Sequence, residues 1–224
     1  PTTRRLVHPG DAAVSTLNIA ASRIDRLGEL RMPGDCALEQ EEPVFAATSD
    51  FAAEFGGPIT RAFLQALPDA WRTTPLVVDT SLVWLPEGAS AGPLLLHREP
   101  YPESVYGAFE SANRDLSVEH VSVMLGAVGW ELVTGVMPPA LLQSVLPMNH
   151  FHASKDAIGR DATLRELVGR GVLALVRIAP GEIVRYPASA FIRHLPATHA
   201  GFHYSMRATR GSNQPLVNGF RTVV

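Results

Sequence analysis

The chain has 224 residues, of which 46% are apolar, and a formal net charge of −3, so it carries enough apolar material for the core of one large domain. No apolar run approaches the roughly 20 residues that span a bilayer, and the arginines are spread without a basic run, which argues against a membrane protein and against nucleic-acid binding. The single cysteine, Cys36, excludes an internal disulfide and a cysteine-based zinc cluster.

Two further features concern location and source. Residues 1–11 lack the charged-then-apolar order of a signal peptide, and a lone cysteine suits a reducing compartment, so we expect a cytoplasmic protein. Lys155 is the only lysine among 19 basic residues. This bias is typical of GC-rich coding sequences and favours a bacterial source.

The two ends of the chain differ in charge. Residues 150–224 carry nine arginines and one lysine against four acids, a net charge of +6, whereas residues 1–149 have a net charge of −9. Such asymmetry predicts that the C-terminal part attracts an anion, for example a carboxylate, a phosphate or an acidic partner protein. The alternative is a set of arginines scattered over a solvated surface.

The first predicted elements are short. Residues 11–27 fit a helix and a strand equally well, and residues 36–46 mix acids with apolar residues, as an exposed strand or loop does. Ser49 or Asp50 is placed to cap a turn of helix. After a Gly-Gly-Pro break, the apolar spacing in residues 59–67 predicts a packed helix.

The strongest strand signal lies in residues 76–85, which are rich in β-branched and aromatic side chains. Residues 93–97 are the predicted antiparallel partner of this strand. Asp79 interrupts the first strand and His97 ends the second, so either could point into a pocket. For Asp79 the alternative is an ordinary strand-edge residue.

Between residues 100 and 147 the apolar spacing changes to three and four, which predicts a helical segment. Ser117 is the candidate N-cap of its second helix. The apolar face of that helix would be formed by Val118, Val121, Met124, Leu125 and Val128.

The His- and Arg-rich C-terminal part, residues 148–224, returns to strands after one helix. Asp161 is a candidate N-cap for a helix over residues 162–168. Turn residues 179–182 join two apolar segments and predict a hairpin. The predicted strands are 172–178 and 183–186, followed by a further pair at 202–209 and 216–223. The whole chain is predicted to be a single α+β domain, with a mostly antiparallel sheet packed against several helices.

Five of the eight histidines lie between Asn149 and Tyr204, and histidine is the side chain most easily poised for proton transfer near neutral pH. The candidate catalytic residues are His150, His152, His199, His203, Tyr204 and Asp156, and the candidate substrate-binding residues are Arg193, Arg207, Phe151 and Phe202. We expect a small-molecule enzyme of bacterial specialised metabolism, of isomerase, dehydratase or cyclase type. It would act without a cofactor on an apolar, anionic or carrier-protein-bound acyl substrate.

A metal-dependent oxygenase or hydrolase is the first alternative. In an extended segment His150 and His152 project from one face and, with His199, would bind Fe, Mn or Zn. The order is similar to the cupin pattern of His-x-His, an acid and a later His. The glycine framework of that family is missing and the intervening segment is helix-like, so the sequence is not assigned to it.

The remaining alternatives involve no catalysis. The histidines could form a structural hydrogen-bond network at the interface of a homodimer, and the oppositely charged parts of the chain could dock a partner, which would make it an accessory or binding subunit. The sequence contains no P-loop and no dinucleotide-binding glycine motif, so nucleotide cofactors have no support.

Overall fold

The computed structural model describes residues 23–98, 118–136, 155–188, 190–212 and 215–223, without the side chains of residues 98, 155–157 and 160. The strands are β1 (Asp25–Glu29), β2 (Val44–Phe45), β3 (Leu76–Leu85), β4 (His97–Arg98), β5 (Glu119–Gly126), β6 (Trp130–Thr134), β7 (Ala174–Ile178), β8 (Glu182–Pro187), β9 (Phe191–His194), β10 (Gly201–Arg210) and β11 (Gly219–Phe220). The helices are α1 (Ser49–Phe55), α2 (Pro58–Ala66), α3 (Asp69–Arg72) and α4 (Lys155–Gly169), with one 3-10 turn at Leu38–Gln40.

Two antiparallel sheets dominate the described part of the chain. The large sheet has the order β1-β8-β5-β10-β3 and the small sheet has the order β4-β9-β6-β7, while β11 and β2 form a separate pair. From one edge, the large sheet has the order β3-β10-β5-β8, and the small sheet has the order β4-β9-β6-β7. Each strand of the small sheet is joined by one connection to the strand at the same place in the large sheet: β3 to β4, β9 to β10, β5 to β6 and β7 to β8.

The packing clusters place these sheets in layers. One face of the large sheet packs on the first three helices, through residues such as Phe63 and Trp71. Its other face meets the small sheet, where Trp130 and Ile178 pack on residues of β5 and β8. The far face of the small sheet is covered by α4 through Leu164 and Leu167. The order of layers is therefore α1–α3, large sheet, small sheet and α4.

A buried carboxylate fixes the start of α2. Glu41 is 3% exposed, and its side chain accepts hydrogen bonds from the amides of Ile59 at 2.7 Å and Thr60 at 2.9 Å. These amides belong to the first turn of the helix, where no intrahelical acceptor exists and a negative charge is favourable. The carboxylate lies so close that a Cβ on Gly57 would stand 2.7 Å from its Oε1 atom.

The coarse fold prediction is confirmed, since antiparallel sheets and helices both occur, but the sheets dominate. Strand β3 matches its predicted bounds, and α2 lies where a helix was predicted. The cap of α1 is Thr48, whose side chain accepts from the amide of Phe51. The predicted caps were the next two residues. Among the described helices, none is long and apolar enough to cross a membrane.

The helix predicted over residues 118–128 is wrong, and so is the helical character of the described part of the 100–147 segment. Residues 118–136 form β5 and β6. Every residue from His120 to Leu125 is buried, because β5 is an inner strand covered on both faces. Such a strand is a continuous apolar run, which periodicity alone does not distinguish from a helix.

Three predicted pairings are also wrong. The partner of β3 is β10, and not the segment 93–97, which instead leads into β4 beside β9. Strands β7 and β8 form no hairpin, because the turn between them carries the chain from one sheet to the other. Strand β11 pairs with β2 rather than with β10. Local patterns locate strands, whereas partners depend on contacts distant in sequence.

Helix α4 begins earlier than predicted. It starts at Lys155, so Asp161 lies inside the helix instead of capping it. The Asp161 side chain is buried and accepts from the amide of Leu96 at 2.8 Å and from Nε of Arg165 at 2.6 Å. This carboxylate therefore ties α4 to the segment that enters β4.

Candidate functional site

The layer between the two sheets is built from alternating residues. In β10, Ser205 lies opposite Met124 of β5, and Met124 belongs to the apolar cluster that joins the sheets. Because strand side chains alternate between faces, His203 and Arg207 share the inward face of Ser205. Residues 202, 204, 206 and 208 face the helices instead.

One half of this layer is apolar and closed. Its members are buried and pack together between β5 and β8 of the large sheet and β6, β7 and β9 of the small sheet. We call them the apolar half: Met124, Trp130, Leu132, Ile178, Val184, Tyr186 and Ile192.

The other half is polar and more accessible. The inward positions from His203 to Thr209 of β10 are polar, as are Asp79 and Ser81 of β3, and the end of the small sheet that contains β4 and β9 contributes two histidines on the face of Ile192. We call these residues the polar half: His97, His194, His203, Ser205, Arg207, Asp79 and Ser81. Several of them, including His97, His194 and both serines, are only half-buried.

His203 is the most enclosed titratable group of the polar half. It is 2% exposed, and neither of its ring nitrogens makes a hydrogen bond of good geometry to a described residue. The pKa of His203 is lowered to about 4, chiefly by burial and also by the neighbouring His194, while a weak hydrogen bond with the Leu125 backbone acts in the opposite direction. The ring is therefore neutral at pH 7 and keeps a nitrogen lone pair.

His97 and His194 form a pair on the small sheet. Their ring centres are 6.3 Å apart and their planes differ by 17°. Nδ1 of His97 lies 2.9 Å from the carbonyl oxygen of Leu95, which can only accept. Gly92 approaches the His194 ring so closely that a Cβ at this position would stand 2.6 Å from its Cδ2 atom.

A charged group lies farther along β10. Arg207 and Asp79 are cross-strand partners, with a guanidinium nitrogen 3.6 Å from the carboxylate. The same carboxylate lies 3.4 Å from Arg221 and accepts from the amide of Ala46 at 3.0 Å. Two guanidiniums therefore lie beside the Asp79 carboxylate.

The structure separates the predicted site residues. His203 and Arg207 lie on the inward face, but Tyr204 and Phe202 lie on the helix face of the same strand. The Tyr204 hydroxyl is 2.7 Å from that of Thr60, which in turn donates to Glu41. Burial is the main reason why the pKa of Tyr204 is raised well above its ordinary value. Tyr204 and His203 therefore do not meet.

Other predicted residues lie apart from the polar half or outside the described residues. His199 is exposed in the β9–β10 connection beside Thr198, and Arg193 pairs with Glu131 on the outward face of the small sheet at 2.5 Å. His150, Phe151 and His152, and the side chain of Asp156, lie outside the described residues. The site at 150, 152 and 199 stays a prediction.

Part of the polar half could have been found from the sequence. In residues 202–209 apolar and polar residues alternate strictly, with His, Ser, Arg and Thr at the odd positions, which is the pattern of a strand with one polar face. The position of His97 beside His194 has no such signal, since it arises from the β4–β9 pairing.

Comparison with known proteins adds little. No family model matches the chain, and no curated protein matches it. One solved structure, the crystal structure of AviO1 from Streptomyces viridochromogenes Tue57, is similar over 92% of this chain and 97% of that chain, with 11% sequence identity and a TM-score of 0.34. A likeness at that level carries no argument about fold or function.

Proposed function

We propose that this chain is a small-molecule enzyme whose reaction site is the polar half of the inter-sheet layer. Its chemistry is histidine-centred acid–base catalysis, of isomerase, dehydratase or cyclase type, on a small anionic substrate. The prediction that it serves specialised metabolism and a carrier-bound acyl group stays a prediction.

The observation that carries this proposal is the buried and poorly satisfied ring of His203. A polar group removed from water costs free energy unless it is hydrogen-bonded, yet neither of its nitrogens makes a hydrogen bond of good geometry to a described residue. Buried titratable groups beside other ionisable side chains are typical of binding and catalytic sites. A neutral imidazole in this position would accept a proton from a bound substrate.

Arg207 supplies the second role. Its side chain is 14% exposed, and it lies on the same face as His203, four residues along the strand. The two Cα atoms are therefore about 13 Å apart. A molecule that contacts both must be organic rather than a simple ion, with its anionic group toward Arg207 and its reacting carbon toward His203. Arginine binds carboxylate and phosphate in two-pronged geometry.

A deuterium-exchange screen tests the catalytic part. Small keto acids and unsaturated acyl thioesters are incubated in D₂O with the protein, and proton NMR follows loss of the C–H signals next to the carbonyl group. We expect exchange into at least one compound, lost in His203→Gln and kept in His199→Gln. Exchange that is unchanged in folded His203→Gln would contradict the proposal.

Anion binding is measured separately, with succinate, benzoate and inorganic phosphate as probes. Arg207→Gln should lose binding, whereas Arg210→Gln should keep it, because Arg210 lies over the Trp71 ring on the helix face of the same strand. If an anion binds through Arg207 but no compound exchanges a proton, the chain is a binding subunit and the enzyme proposal fails.

A further inference from the structure

We infer that the ligand of the proposed site is an oxo acid, and that the hydroxyls of Ser81 and Ser205 bind its ketone oxygen between His203 and Arg207. The inference rests on the proposed function, because it takes the roles of His203 and Arg207 from there. It adds the chemical class of the substrate and two residues that contact it.

The two serines lie in the middle of the inward face of the large sheet. Ser205 is two residues from His203 and two from Arg207 on β10, so its Cα atom is about 7 Å from each of theirs. Ser81 is its cross-strand partner on β3, and the Cβ atoms of such a pair are about 5 Å apart on one face. A molecule that reaches from Arg207 to His203 must therefore pass over both serines.

The inward face is open to solvent at this pair. Ser205 belongs to a strand with a neighbour on either side, and the residues before and after it, Tyr204 and Met206, are 0% and 1% exposed. Its neighbour on β5, Met124, is 3% exposed. Ser205 and Ser81 are nevertheless only half-buried. Since side chains of two packed sheets fill the space between them, an accessible inward residue on an inner strand marks a place that the small sheet leaves uncovered.

The protein does not use the hydroxyls of these two serines. The side chains of Ser81 and Ser205 make no hydrogen bond to a described residue. Ser122, the cross-strand neighbour of Arg207 on the same face, differs in this respect, because its hydroxyl lies 3.0 Å from that of Tyr186. Each free hydroxyl is a donor, so the pair offers two donors to one oxygen of a ligand.

The neighbouring histidine favours a ketone as the group that carries this oxygen. A C–H bond next to a ketone can give its proton to the neutral His203 ring. The C–H electrons then form a carbon–carbon double bond, and the carbonyl pair moves onto the oxygen. Negative charge develops on that oxygen, where the two hydroxyls donate. The protonated ring returns the proton to a carbon of the enolate, so the step balances without a co-reactant.

The spacing of the residues sets where the ketone stands in the molecule. The anionic group lies toward Arg207, and Ser205 is about 7 Å farther along the strand. A ketone directly beside the carboxylate, as in pyruvate, would reach the guanidinium or the hydroxyls but not both. The substrate class is therefore an oxo acid in which several bonds separate the two groups.

Calorimetric titration with matched acids tests the inference. The probes are levulinate and its next two homologues, each compared with the alkanoate of the same chain length, and pyruvate. We expect one of the longer oxo acids to bind roughly 5- to 100-fold more tightly than its alkanoate, the fold-change of two neutral hydrogen bonds. Pyruvate should have no such advantage over propionate.

Serine variants assign the preference to residues. The double variant Ser81→Ala with Ser205→Ala should bind the oxo acid only as tightly as the alkanoate, whose own affinity is unchanged. Ser122→Ala is the matched control and should keep the preference, since its hydroxyl already has a partner in the protein. Far-UV circular dichroism checks that each variant is folded.

A crystal structure of the wild-type complex with the preferred oxo acid needs no variant. The ketone oxygen should lie within about 3.2 Å of the Oγ atom of Ser81 or Ser205. Equal affinities of oxo acids and alkanoates, a preference that survives in the folded double variant, or a ketone bound elsewhere would each overturn the inference.

The two proposals fail separately, because binding is measured without turnover. A protein that prefers oxo acids through the serines but exchanges no proton has the oxo-acid site and is not the proposed enzyme. Proton exchange that needs His203 but is unchanged in the double serine variant contradicts the inference and leaves the proposed function intact. If wild type binds none of the acids, both proposals are wrong.

Discussion

The two halves of the inter-sheet layer lie between the same two sheets but differ in their side chains. The apolar half is filled by large apolar side chains, and polar groups in and beside it are partly satisfied: Nδ1 of His120 is 3.0 Å from the Thr209 hydroxyl, and the Ser122 hydroxyl is 3.0 Å from that of Tyr186. Nε1 of Trp130 has no hydrogen-bond partner among the described residues. The polar half instead contains the ionisable side chains of the layer, among them the buried His203 ring. The apolar half therefore holds the sheets together by burial, and the polar half is where the proposed reaction site lies.

The largest expected effect comes from the apolar half. Trp130 is fully buried there, so Trp130→Ala should lower the free energy of unfolding by about 3–5 kcal/mol, through lost burial and the cavity left behind. The matched change in the polar half, Ser205→Ala, should alter it by less than about 1 kcal/mol. Urea unfolding of both variants measures this difference. Equal losses would remove the distinction between the halves.

The next effect depends on pH. The pKa of His203 in the native state is about 4, below its ordinary 6.5. As pH falls below 6.5, His203 binds a proton in the unfolded chain, whereas in the native chain it does so only near pH 4. The free energy of unfolding therefore decreases between pH 6.5 and pH 4. The complete decrease amounts to about 3 kcal/mol.

Urea unfolding of wild type and His203→Gln, from about pH 7 to pH 4.5, measures that loss. The variant should lose less stability over this range, because it lacks the imidazole of His203 and is otherwise the same chain. Parallel curves would mean that the His203 ring is not desolvated in solution.

A smaller effect tests the helix face. Tyr204→Phe removes the hydroxyl that contacts Thr60, and the loss of this buried bond should cost about 1–2 kcal/mol of stability. Because Tyr204 faces away from the polar half, anion binding and proton exchange should be retained. Loss of exchange in a stably folded variant would return Tyr204 to the reaction site.

Sequence alone located several elements but few of their partners. The strand at residues 76–85 and the strand beginning near residue 202 follow from composition and alternation, because a β-rich segment with one polar face leaves a local signal. The sequence of strand β5 predicts a helix instead, because burial on both faces removes that alternation. The pairing of β3 with β10, more than 100 residues later, has no local signal.

The site shows the same limit. His203 and Arg207 were candidates from residue type and position, and their shared face follows from the even spacing within one strand. That Tyr204 would point away also follows from this alternation, once the segment is known to be a strand. The meeting of His97 and His194 depends on two separate strands joining, and this is decided by tertiary contacts.

The four connections between the sheets lie at one end of the layer, and several of them are hydrogen-bonded to one another. The amide of Leu195 donates to the Gly129 carbonyl at 2.9 Å, and that of Ala197 donates to the Ala89 carbonyl at 2.7 Å. These bonds fix the position of one sheet relative to the other at this end. A ligand of the proposed site would therefore meet side chains that are already in place, so its binding would cost little conformational entropy.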